Sequence, residues 1–129
     1  MRDTIKTTKT KLKAIYSELG GETQLREILN EFYRRMSEDI LIGYFFTGKD
    51  LHAIAEKQLE FLLVAMGIKS QYTGKSPSSA HLELPPILKG HFDRRLVILK
   101  ETLKDYGLPE DLIKNWIEFE NAFRNVIIS

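Results

Sequence analysis

The chain has 129 residues, 19 Lys and Arg against 18 Asp and Glu, 43% hydrophobic residues and no cysteine. One domain with a real core fits that length and composition, while the net charge of +1 gives no global field for nucleic acid. Disulfides and thiolate metal sites are excluded, and no apolar run approaches a membrane span, the longest being short pieces such as 61–66. The basic opening MRDTIKTTKTKLK lacks the apolar centre of a secretory signal. Residues 1–11 read as a solvated lead-in, with a transit-peptide or membrane-surface role as the alternative, and 12–129 as the domain. The expected location is cytoplasmic.

Leu12, Ile15, Tyr16 and Leu19 recur at helical spacing, and Gly20-Gly21 ends that short helix. Thr23 is placed to cap the next one, whose stripe is Leu25, Ile28, Leu29, Phe32, Tyr33 and Met36. Asp39 to Phe46 reads as an apolar turn region closed by Gly48. Asp50 is a plausible N-cap for a helix with the stripe Leu51, Ile54, Phe61, Leu62 and Ala65, whose central rung is Gln58. Gly67 ends it. From Lys69 to Ala80 there is no periodicity, and loops of that length are usually functional or disordered.

His81 follows that loop and stands just ahead of Pro85-Pro86, which cannot continue a helix. It therefore sits on one or two helical turns at most. An imidazole on such a stub suits an axial metal ligand; an ordinary surface or capping histidine is the alternative. Gly90 is expected to release a helix beginning at Phe92, with Leu96, Leu99 and Leu103 on its apolar line and Arg95 among them. Gly107 stops it, and Leu108-Pro109-Glu110 starts a last helix with the stripe Leu112, Trp116, Phe119, Phe123 and Val126. No segment alternates as a half-buried strand does, so the fold is all-α, with four substantial helices and a few short ones.

Tyr33, Gln58 and Arg95 lie on three different apolar faces. A buried polar group without a partner costs about 1–3 kcal/mol, and a buried charge more. Three such groups suggest helices facing a shared polar ligand or cavity. Arginine also has the option of laying its stem on apolar surface with its head in water.

Taken in order, Gly20-Gly21, Phe32-Tyr33, Phe45-Phe46, Lys57-Gln58 with Phe61, Tyr72-Thr73-Gly74, His81 and Phe92-Asp93 resemble the truncated (2-on-2) haemoglobins, closest to group I. The resemblance runs from about Ile15 to Val126. It implies a globin-like helical sandwich, two antiparallel helix pairs holding haem b (iron protoporphyrin IX), with the proximal helix reduced to a turn. It places His81 as the proximal iron ligand, Phe46 on the porphyrin face, and Tyr33 and Gln58 as the distal pair that hydrogen-bonds a diatomic ligand. By the same resemblance Ile54 stands at the distal gate, Lys57 and Tyr72 reach the propionates, and Phe61, Leu62, Phe92 and Leu99 line the pocket. The implied ligands are dioxygen, nitric oxide and carbon monoxide.

The resemblance leaves two roles open: reversible gas binding for storage, scavenging or sensing, and nitric oxide dioxygenase activity completed by an external reductase. No membrane or nucleic-acid partner is implied, and the oligomeric state stays open. Four positions depart from the group I pattern. Ile68 follows Gly67 where a second glycine is frequent, Pro77 stands where methionine is frequent, and Leu62 replaces a tunnel-gating phenylalanine. Arg95 stands at a pocket-lining position that is small and apolar in group I. It is expected to pair with a propionate, to act as a third donor near the ligand, or to turn to solvent with Leu96 taking its inward place.

Overall fold

A computed structural model describes residues 2–70 and 87–124. Among the described residues there are five α-helices and no strand. They are α1 (Arg2–Leu19), α2 (Glu22–Ser37), α3 (Leu51–Ala65), α4 (Lys89–Asp105) and α5 (Glu110–Asn121), with a 3-10 turn at Gly43–Phe46 between α2 and α3. The loop over 71–80 with Tyr72 and Pro77, the short stub carrying His81, and Val126 lie outside the described residues.

α2 organises the fold because its stripe is apolar over its whole length. Leu25, Ile28, Leu29, Phe32, Tyr33 and Met36 are all buried. α2 packs on α3 and α4, α4 packs on α5, and α1 lies against α2 and α5. The core where they meet takes Leu12 and Ile15 from α1, Leu59, Leu62 and Leu63 from α3, Leu99 and Leu103 from α4, and Ile113 and Trp116 from α5. Full burial of one such side chain contributes about 1.5–3 kcal/mol.

Three boundaries differ from the sequence reading. The lead-in is helical from Arg2, since nothing between Arg2 and Leu12 breaks a helix, although Thr8 to Lys11 remain exposed. Thr23 is not the cap of α2: Gly21 holds that place with φ 118°, and Thr23 falls in the first turn. α4 begins at Lys89, so Gly90 lies inside its first turn. Leu88 is the extended residue before it, and its N–H donates to His91 Nδ1 at 3.0 Å. Amides of a first turn have no intrahelical partner to lose, so a glycine is tolerated there.

The connection from α2 to the 3-10 turn is pinned by Asp39. Its Oδ2 accepts from the Leu41 and Ile42 amides at 3.0 and 3.3 Å, and its Oδ1 accepts from Arg94 Nε and Nη2 at 2.9 and 2.7 Å. These bonds, with Arg94 first, hold the Asp39 carboxyl below the ordinary carboxylate range. Gly43 fits because it has no side chain: a Cβ there would lie 2.6 Å from the Ser37 carbonyl oxygen. Asp39 thus fixes the turn to α4, and Gly43 lets it fold back on the end of α2. Together they set where Phe45 and Phe46 stand.

Candidate distal site

α3 has two apolar faces. Ala55, Leu59, Leu62 and Leu63 are buried in the core. Ile54, Gln58, Phe61 and Ala65 form a second, half-buried line beside it. The sequence stripe merged the two, putting Leu62 with Ile54 and Phe61. Asp50 does cap this helix, its Oδ1 accepting from the Ala53 amide at 3.1 Å.

The second line of α3 faces the polar residues of the other helices. Gln58 Nε2 donates to Glu120 Oε1 at 3.5 Å, and Arg95 Nη2 donates to Glu120 Oε2 at 3.0 Å. The Arg95 guanidinium carbon lies 5.0 Å from the centre of the Phe32 ring and 6.0 Å from that of Tyr33, within the range of cation–π attraction. Its Nη1 also donates weakly to Met36 Sδ at 3.8 Å. Gln58 and Arg95, singled out on separate faces, are therefore joined through one carboxylate on a fourth helix, and the ring of Tyr33 lies beside the Arg95 guanidinium.

Glu120 escaped the sequence reading. It sits beside Phe119 in the stripe of α5, yet it is four residues after Trp116 on the buried line Leu112, Ile113, Trp116, Glu120. That spacing was the available signal. Arg95 does not turn to solvent: its anion is this glutamate, and Leu96 is only half-buried.

The electrostatics follow from burial. Burial pushes the Tyr33 phenol pKa up; Arg95 pulls it down and Glu120 adds to the rise. The net result is a neutral hydroxyl. For Arg95, burial is the largest single influence and works against the charge, but the charge and hydrogen bond of Glu120, with Tyr33 adding to them, together outweigh it and the guanidinium is held more firmly protonated than usual.

Apolar groups flank this polar set. Phe46 is partly buried and meets the Tyr33 ring edge-on, 5.9 Å between centres at 76°. Phe61 contacts Phe119 and Phe123, with ring centres 6.2 and 5.6 Å away. Leu62 and Leu99 are fully buried behind the site, and Phe92 is buried against the Arg124 guanidinium at 4.9 Å. Lys57 is exposed, 3.9 Å from Glu60. A partly covered apolar surface beside neutral donors fits a flat macrocycle that carries a small ligand. Among the described residues no three His, Asp, Glu or Cys could form a protein cage for a metal ion.

The family model of the bacterial-like globins matches residues 14–129. The group 1 truncated haemoglobin of Synechocystis is 37% identical over 105 residues, 79% of this chain and 85% of that protein. The chain is a truncated haemoglobin of the bacterial-like globin family. A second relative, the group 1 truncated haemoglobin of Tetrahymena pyriformis, is 30% identical, with 80% of this globin and 84% of the relative covered. Its solved Fe(III) form superposes with a TM-score of 0.81 at 27% identity, covering 89% and 97% of the two chains. The 2/2 haemoglobin of a Synechococcus species, solved in the cyanomet state with covalently attached haem, gives a TM-score of 0.78 at 25% identity, over 88% of this globin and 96% of that chain. Family membership implies haem-based gas binding, and no helix among the described residues is long and apolar enough to cross a membrane.

Proposed function

We propose that this globin reversibly binds dioxygen or another diatomic gas, nitric oxide or carbon monoxide, at haem b. The observation that carries the reading is the meeting of Tyr33 from α2 and Gln58 from α3 around the Arg95–Glu120 pair. Haem supplies, when bound, the iron that takes the gas. His81 would hold that iron. The other two histidines are engaged elsewhere: His91 accepts from the Leu88 amide, and exposed His52 lies 3.4 Å from Asn30 Oδ1.

Tyr33 and Gln58 would donate hydrogen bonds to the ligand. A phenol and an amide bring donors without adding charge. Phe46, Ile54, Phe61 and Phe92 would cover the macrocycle and keep water out, with Leu62 and Leu99 as the wall behind them. Lys57 and Tyr72 would meet the propionates, and Arg95, paired with Glu120, would back the distal donors. The test is addition of haem to the haem-free protein. A single saturable site is expected, with a Soret band that moves when carbon monoxide is added to the reduced protein. A spectrum like that of free haem, indifferent to carbon monoxide, would remove this reading.

A further inference from the structure

The Arg95–Glu120 pair has a consequence for which ligands the distal site admits. A guanidinium is permanently charged, and where it is largely buried its attraction for an anion is strong. Here that charge faces a single carboxylate. Glu120 comes from α5 and is 6% exposed; Gln58 from α3 donates to its second oxygen. Tyr33 from α2 senses both charges with opposite sign. Seen from the Tyr33 hydroxyl, the pair is a dipole with no net charge. A carboxylate accepts hydrogen bonds only, so it also fixes the Gln58 amide with its NH2 group toward Glu120.

We propose that Glu120 and Arg95 are specificity-determining residues that make this site favour neutral diatomic ligands over small anions, Glu120 by cancelling the charge of Arg95 and orienting Gln58. The inference rests on the haem-site reading above. It makes a signed claim: removing the two charges singly has opposite effects, because one variant leaves an unpaired cation by the site and the other leaves an unpaired carboxylate.

The experiment compares wild type, E120Q, R95L and the double variant. Azide is titrated into the ferric haem-loaded proteins, carbon monoxide into the ferrous ones, and the ratio of the two affinities is read. In E120Q the azide-to-carbon-monoxide ratio should rise about tenfold, in R95L it should fall about tenfold, and in the double variant it should return toward wild type. A merely structural pair would move the ratio in one direction in both single variants, or not at all, and either result overturns the proposal. The haem-free proteins supply an independent arm. Adding azide should shift the Arg95 Nε–Hε resonance in E120Q and leave it in place in wild type; equal response in the two also overturns it. If no variant or wild type takes up haem, the haem-site reading fails, and the haem-free arm still decides whether Glu120 shields Arg95 from anions.

Discussion

Arg95 Nη2 of α4 and Glu120 Oε2 of α5 stand 3.0 Å apart, with 21% and 8% of their side chains exposed. Removing one partner of a buried pair strands the other. Arg95→Leu or Glu120→Gln should each lower stability by about 3–5 kcal/mol, at the upper end for the variant that strands the more deeply buried group. The double variant should recover part of that loss. Urea unfolding of the haem-free proteins measures the coupling. Strictly additive losses would mean the two side chains do not depend on each other.

The pair also shows where sequence reasoning reaches its limit. The α2 stripe was legible because all its apolar positions serve one core, and helix ends at Gly67 and Gly107 were legible because glycine takes the left-handed backbone there, with φ 77° and 79°. Tyr33, Gln58 and Arg95 stood out because each interrupts an apolar line. Glu120 did not, because a charged residue next to Phe119 looks like the wet edge of a helix until the partner across the bundle is known. The two faces of α3 merged for a related reason. A helix with core on one side and a half-buried apolar line beside it has apolar residues around most of its circumference, and spacing alone does not divide them.

Tyr33→Phe should speed oxygen release several-fold, since one net hydrogen bond is worth about 0.5–1.5 kcal/mol and more for a charged acceptor. Gln58→Leu should act in the same direction. The two should be non-additive, as they serve one ligand and stand on either side of one ion pair, Tyr33 by Arg95 and Gln58 on Glu120. Stopped-flow release rates settle this; unchanged rates in both variants would leave the distal donors without a role.

Gly43→Ala should disturb the site from a distance. The added Cβ meets the backbone carbonyl of Ser37 at 2.6 Å, so the 3-10 turn that carries Phe45 and Phe46 has to move. A loss of about 1–3 kcal/mol is expected, together with weaker haem retention because Phe46 shifts against Tyr33. Haem transfer to an apo-globin acceptor reads the second effect. Wild-type stability and retention would contradict the close packing seen here.

Acid should weaken the fold through Glu31. Hydrogen bonds from Arg34, then Arg35, lower its pKa from the ordinary 4.5 to about 2. Between those values the unfolded carboxyl binds more protons than the folded one, so stability rises with pH across that window. The contribution of Glu31 is complete above about 4.5 and is lost as pH falls toward about 2. Asp39, also depressed, acts in the same direction. Wild type should lose more stability than Glu31→Gln between about pH 5 and about pH 3. Parallel losses would place the acid sensitivity elsewhere.

The most direct test of the haem-binding account is the absorption spectrum of the reconstituted protein, ferric and ferrous, beside that of His81→Ala. The account requires a Soret band in the wild type, together with weak or absent haem retention in the variant while its far-ultraviolet helical signal persists. Full haem affinity and an unchanged spectrum in His81→Ala would contradict it.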